Sequence, residues 1–425
     1  MSGRFSKKRY PRKVVFKAME EHGEDDEEPV LKTPLTHMAR DNLGDCLNYM
    51  SHDPHVLKST STNYKKQKVV EHTKSTTYRT REKPMIGFGV PNATSTIVKE
   101  DIEVEGRGPP YFYFENVAYA RQGVWLTIRK ELYDIEPEFV DSLHMCAATR
   151  KRGYIHNLPM DDRLQIPPIP LSTIQEALPS TKEWWPQWDD RTKLNCIVTR
   201  HASASDVQRI NEELCNSGPD PPKNIRENVI RECRKRNLVW LGKNTVDFLQ
   251  PVQIESIMGF PEGHTRVACK TTQYKCLGNA FQVDTVAYHL SVVKKLFPKG
   301  IRVLSLFSGI GGAEVALYRL GIPLNFVVSV ENSKDCTRIL KNWWRQSEQK
   351  GRLIHISDVK KVTSHKLMQW MKEAGRFDLV IGGSPCNNLA GKNLKTRTGL
   401  AGEQSSLFYE YTRILGLVRT LQHSP

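Results

Sequence analysis

The chain has 425 residues, 39% of them hydrophobic, enough for one large domain with additional parts. Lys and Arg number 62 against 47 Asp and Glu, and the resulting net charge of +15 suits a polyanionic partner. No apolar stretch approaches membrane-spanning length, no signal-peptide pattern opens the chain, and no Cys-x-x-Cys occurs among the cysteines. These features predict a soluble intracellular protein without a structural zinc knuckle or other metal site.

In chain order, residues 1–85 carry blocks of charge and few apolar clusters, the composition of a largely disordered region. Its basic run Lys7-Lys8-Arg9-Tyr10-Pro11-Arg12-Lys13 fits a nuclear localisation signal, a nucleic-acid arm or a solvated tail. The segment Phe114-Glu115-Asn116-Val117 reads as a strand bearing a carboxylate. In Thr149-Arg150-Lys151-Arg152-Gly153-Tyr154, strand alternation puts Arg150 and Arg152 on one face and Lys151 on the other. Residues 157–240 are rich in Pro, aromatic and basic residues, including Trp184-Trp185-Pro186-Gln187-Trp188, whose rings suit either base stacking or the sealing of an apolar face.

An apolar helix over 286–296 then runs into a strand at 303–306. That strand breaks into Phe307-Ser308-Gly309-Ile310-Gly311-Gly312, a Gly-rich turn ahead of a helix, where free amides can meet a ligand. The next strand, 327–331, ends in Glu331, about 20 residues on, where doubly wound folds hold ribose hydroxyls. A third, 353–356, is followed by Asp358, and a fourth, 377–381, leads into Gly382-Gly383-Ser384-Pro385-Cys386. In an open parallel sheet these ends share one crevice, so a nucleoside cofactor and Cys386 would be neighbours. Loop amides around Cys386 are expected to favour its thiolate. The following loop, 389–397, with its Gly and cations, suits a mobile phosphate-touching flap or a plain solvated loop.

Taken together, the Gly turn, Glu331, Asp358, Ser384-Pro385-Cys386 and Gln404-Ser405-Ser406-Leu407-Phe408 resemble the S-adenosylmethionine-dependent DNA (cytosine-5) methyltransferases. The motifs that normally close such a domain come first here: Glu115-Asn116-Val117, Arg150-x-Arg152, Met258-Gly259-Phe260-Pro261 and Leu277-Gly278-Asn279-Ala280. That order resembles the plant domains rearranged methyltransferases. The implied fold is α/β, a Rossmann-like methyltransferase sheet, circularly permuted, with an inserted target recognition region. The methyltransferase domain would span 86–425, with 86–156 and 241–300 as its first half, 157–240 for target recognition, and 301–425 for cofactor and nucleophile. The resemblance makes Cys386 the nucleophile, Glu115 the acid at ring nitrogen 3, and Arg150 and Arg152 the holders of the base. It assigns Phe307, Ser308, Gly309, Ile310, Gly311, Glu331, Asp358, Asn279 and Leu407 to S-adenosyl-L-methionine. It further implies double-stranded DNA as substrate, a homodimer, nuclear location and a link to small-RNA silencing. A catalytically silent DNA-binding scaffold is the alternative, and transfer of the methyl group to RNA a third reading.

Overall fold

The structure, a computed structural model, describes residues 106–120, 123–161, 163, 173–389 and 398–423. The basic and acidic blocks of the first 85 residues, and all of the expected flap 389–397 except Leu389, lie outside the described residues. Strands are β1 (Tyr111–Val117), β2 (Glu138–Asp141), β3 (Lys151–His156), β4 (Leu238–Gly242), β5 (Thr245–Phe248), β6 (Ile301–Leu306), β7 (Leu324–Val330), β8 (Arg352–Ile356) and β9 (Leu379–Gly382). Seven of them form one sheet in the order β2-β3-β1-β9-β6-β7-β8.

From β1 to β8 this sheet is parallel, and β3 runs antiparallel to both β1 and β2. The central strands are apolar on both faces, as helix-covered parallel strands must be. Ile301 and Val303 of β6, Val327 of β7, and Leu379 and Ile381 of β9 enter one core with the helices Val283–Leu290, Gly312–Arg319 and Lys334–Gln346. Leu304, Leu306, Val328, Val330 and Val380 point the other way, against the helices Val124–Glu131, Ser364–Ala374 and Phe408–His423. Helices such as Lys334–Gln346 and Ser364–Ala374 bury one stripe, whereas Val283–Leu290 and Gly312–Arg319 are buried nearly all round, and burying a Leu- or Ile-sized side chain contributes about 1.5–3 kcal/mol.

Sequence order and spatial order differ at one place that matters. β1, from the first half of the chain, adds in parallel beside β9, from the last part, with Phe114 opposite Gly382. The expected helix over 286–296 is two pieces, Val283–Leu290 and Val293–Leu296, and the chain then passes into β6. Swapped chain order therefore rebuilds one continuous sheet.

The expected recognition region has a small core of its own. Val207, Ile210 and Leu214 of the helix Ala204–Asn216 pack with Val229 and Cys233 of Lys223–Arg236 and with Leu238, Trp240 and Val246. The β4–β5 hairpin carries this core to Phe248, past the limit expected at residue 240. Trp188 meets Trp240 edge-on at 5.3 Å and Trp185 packs against the same cluster, so these rings serve packing, whereas Trp184 is 38% exposed.

Candidate active site

Because Phe114 pairs with Gly382, the next residues of β1 overrun the end of β9 and meet the turn that carries Cys386. Asn116 donates from Nδ2 to the Ser384 carbonyl at 3.2 Å and to Ser384 Oγ at 3.3 Å. A Cβ placed on Gly383 would lie 3.0 Å from the Glu115 carbonyl oxygen and 3.1 Å from Glu115 Oε2, so a side chain there would crowd β1 and require the neighbours to give by a few tenths of an ångström. The turn is also braced from behind. Ser405 Oγ donates to the Pro385 carbonyl at 3.3 Å and accepts from Asn388 N at 3.2 Å, while Asn388 Oδ1 accepts from Gln404 N and Ser405 N.

Glu115 is almost fully buried, and its Oε1 accepts from Arg152 Nε at 2.8 Å. Burial opposes the charge on Arg152, yet Glu115, Cys196 and Cys386 together keep it firmly protonated. Arg150 precedes β3 and sends its guanidinium to the carbonyls of Gly278 and Ala280, holding the end of the helix Lys270–Asn279. Burial, and then Arg152, lower its pKa. The two arginines thus do different work: Arg152 pairs with the acid, and Arg150 supports a loop from another element.

Cys386 lies within the field of Arg152, Glu115 and Arg150. Its thiol is pushed up, not down. Burial is the largest cause, Glu115 adds to it, and the pull of Arg152 and Arg150 with one backbone hydrogen bond does not compensate. The expected amide-stabilised thiolate is corrected accordingly: desolvation outweighs the loop amides.

At the neighbouring strand ends lies the Gly turn. Phe307 adopts φ 55°, a left-handed conformation that costs energy in a bulky residue, and Gly311 at φ 86° opens the helix Gly312–Arg319. Glu331 stitches the turn to the next helix: Oε2 accepts from Gly309 N at 2.9 Å and Oε1 from Ser333 N at 2.8 Å. Burial raises its pKa against those two amides and that of Asn332. Ser308 and Ser329 share a 2.6 Å hydrogen bond. His264 Nε2–H donates to the Ile310 carbonyl at 2.7 Å, and burial holds this ring neutral with a pKa of about 4. Beneath the turn, Glu314 in the first turn of its helix is completely buried, and desolvation brings its pKa to about 6. The Glu331 carboxylate, directly after β7 and tied to the Gly turn, stands where the hydroxyls of a nucleoside can be held.

The residues expected at the turn, Phe307, Ser308, Gly309, Ile310, Gly311 and Glu331, are therefore together. Asp358 caps the turn Val359–Lys361, accepting from Lys360 N at 2.9 Å. Asn279 is exposed at the end of its helix, between the two carbonyls that Arg150 holds. Leu407 is half-buried against the face of the sheet that packs Phe408 and Tyr411. Sequence reasoning assigned no role to Asn116, His264 or Glu314. Asn116 stood inside a quoted motif, whereas the other two gain meaning only from what the fold buries them against.

A family profile described as C-5 cytosine-specific DNA methylase matches residues 301–419, from the first residue of β6 into the last helix. The chain is 56% identical over 340 residues to DNA (cytosine-5)-methyltransferase DRM2 of Arabidopsis thaliana, an alignment covering 79% of this chain and 54% of that protein. It is 54% identical over 336 residues to DRM2 of Oryza sativa subsp. japonica, covering 79% and 56%. A rice protein named probable inactive DNA (cytosine-5)-methyltransferase DRM3 is 38% identical over 325 residues, covering 76% and 47%. The chain spans about half the length of these relatives. With these identities and a methylase sheet assembled in swapped chain order, the chain belongs to the plant domains rearranged methyltransferases, a family of DNA (cytosine-5)-methyltransferases.

Proposed function

We propose that the chain is a de novo DNA methyltransferase that moves a methyl group from S-adenosylmethionine to carbon 5 of a cytosine in double-stranded DNA. The observation that carries this reading is the meeting of Cys386 with Glu115 and Arg152 where β9 and β1 end side by side. Cytosine carbon 5 is a poor nucleophile, and the base must first leave the stack, at a cost of a few kcal/mol. Cys386 then gives its proton to water and adds through sulfur to ring carbon 6, so that carbon 5 becomes enamine-like. Electron density moves toward ring nitrogen 3, where the Glu115 carboxyl shares a proton with the ring. Arg152 fixes Glu115 and presents positive charge to the developing anion, and Arg150 keeps the 278–280 turn in place around the pocket.

Phe307 to Gly311 and Glu331 would hold the cofactor, with the Glu331 carboxylate toward the ribose. When bound, S-adenosylmethionine supplies the methyl group as an electrophile on a sulfonium. Loss of the carbon-5 proton to water then lets the Cys386 thiolate leave. The raised thiol pKa fits this order, because the sulfur stays protonated in the desolvated pocket until a base arrives. By family resemblance we extend the proposal to a homodimer acting in the nucleus, in gene silencing directed by small RNA. Incubation with methyl-labelled S-adenosylmethionine and, side by side, duplex DNA and transfer RNA tests the reading. Label in DNA alone is expected. Label in RNA, or cofactor binding with no transfer, would overturn it.

A further inference from the structure

Outside this pocket, two thiols from distant parts of the chain face each other. Cys276 Sγ, on the helix Lys270–Asn279, lies 3.6 Å from Cys336 Sγ, on the helix Lys334–Gln346. The pair is asymmetric. Cys336 stands in the first turn of its helix, three residues after the Ser333 cap, and remains partly accessible, whereas Cys276 is buried. The hydrogen bond from Cys276, helped by the Ser333 hydroxyl, lowers the pKa of Cys336 against the cost of burial, while the same hydrogen bond and burial raise that of Cys276. Asp335 and Glu331 oppose the thiolate without reversing that direction.

Each sulfur is attached to a support of the proposed pocket. Three residues beyond Cys276 lies the turn whose carbonyls hold Arg150. Three residues before Cys336, the Ser333 amide holds Glu331, which in turn holds Gly309. We propose that Cys276 and Cys336 form a redox-sensitive dithiol that a low-molecular-weight disulfide such as oxidised glutathione converts to a cross-link, loosening the cofactor turn.

Cys336 thiolate attacks one sulfur of oxidised glutathione, giving a mixed disulfide and releasing one glutathione thiolate. Cys276 then gives its proton to solvent and attacks Cys336 Sγ, which expels the second glutathione thiolate. Two protein thiols are oxidised, one small disulfide is reduced to two thiols, and the released protons return to those thiols. Closing 3.6 Å to a covalent S–S bond draws the two helix ends together and shifts Ser333 against Glu331.

The test is peptide mapping of the whole chain, digested without reductant after exposure to oxidised glutathione. A Cys276–Cys336 linked peptide, two hydrogens lighter than the sum of its parts, is expected. Cys276→Ser should instead accumulate glutathione on Cys336, and Cys336→Ser should leave Cys276 free. Glutathione on the exposed Cys269 with no linked peptide in the unsubstituted chain would overturn the proposal, and this readout needs neither cofactor nor a folded variant. The functional half rests on the cofactor reading above. Titration calorimetry should show S-adenosylmethionine affinity at least about threefold weaker in the oxidised protein, restored by dithiothreitol. Equal affinity in the two redox states would remove the switch.

Discussion

The two ends of the candidate pocket are built on different physics. At the cofactor end, backbone geometry leads: a left-handed Phe307, a glycine cap at Gly311, and a carboxylate whose two oxygens accept from two amides. At the base end, side-chain charge leads: Glu115 and Arg152 are paired, Arg150 is buried against carbonyls, and Cys386 is held protonated between them. The first end is preorganised and asks little of a ligand beyond fit. The second stores opposing charges that a substrate can redistribute, which is where catalysis gains most from a desolvated site.

Substitutions can break this contrast in order of expected size. Cys386→Ala should lower methyl transfer by about 10⁴-fold or more while cofactor affinity in calorimetry stays within about twofold, because the thiol bonds the base. Retained turnover would remove the assigned nucleophile. Glu115→Gln is expected to slow single-turnover transfer by about 10²–10³-fold with DNA affinity unchanged, the size of losing one aligned acid. A loss confined to DNA binding would reassign Glu115. Glu331→Ala belongs to the other end, and should weaken S-adenosylmethionine binding by about 10–100-fold, as expected for hydrogen bonds to a charged group. Unaltered affinity would separate Glu331 from the cofactor.

Smaller effects sharpen the electrostatics. Glu314 has a folded pKa of about 6 against an ordinary 4.5, so its favourable protonated state is complete below about pH 4.5 and is lost as pH rises through about 6. The resulting cost above that pH is about 2 kcal/mol. Glu314→Gln should therefore gain about that much on the unsubstituted chain between about pH 4.5 and pH 7 in denaturant titrations. A difference independent of pH would show that the acid is not carrying the cost. For the thiols, Cys269 is fully exposed and its thiolate is favoured by the Thr272 hydroxyl, whereas burial disfavours the Cys386 thiolate. Iodoacetamide near neutral pH should label Cys269 well before Cys386, and the reverse order would contradict the desolvated pocket.

Much of this was legible in the sequence because it is local. The Gly turn and Glu331 are read from strand-turn-helix spacing, and β6 to β9 fall within a few residues of the apolar runs that predict them. The motif order also announced that the sheet would be assembled from swapped halves, and β1 beside β9 is that assembly. Other features had no local signal. The strand at 151–156 starts one residue after Arg150, and only the folded chain shows that the Arg150 guanidinium reaches the carbonyls of the 278–280 turn. Cys386 is only partly buried, yet the desolvation of that position is enough to push its thiol up, which no spacing encodes. The same is true of Cys276 and Cys336, 60 residues apart in sequence and 3.6 Å apart in space.

The most direct test uses duplex DNA carrying 5-fluorocytosine at the target position, with S-adenosylmethionine present. Fluorine at carbon 5 cannot leave as a proton does, so the enzyme should remain covalently attached to the DNA through Cys386, with Cys386→Ala and cofactor-free samples giving no adduct. Attachment through any other cysteine, or tight DNA binding with no covalent product, would contradict the account.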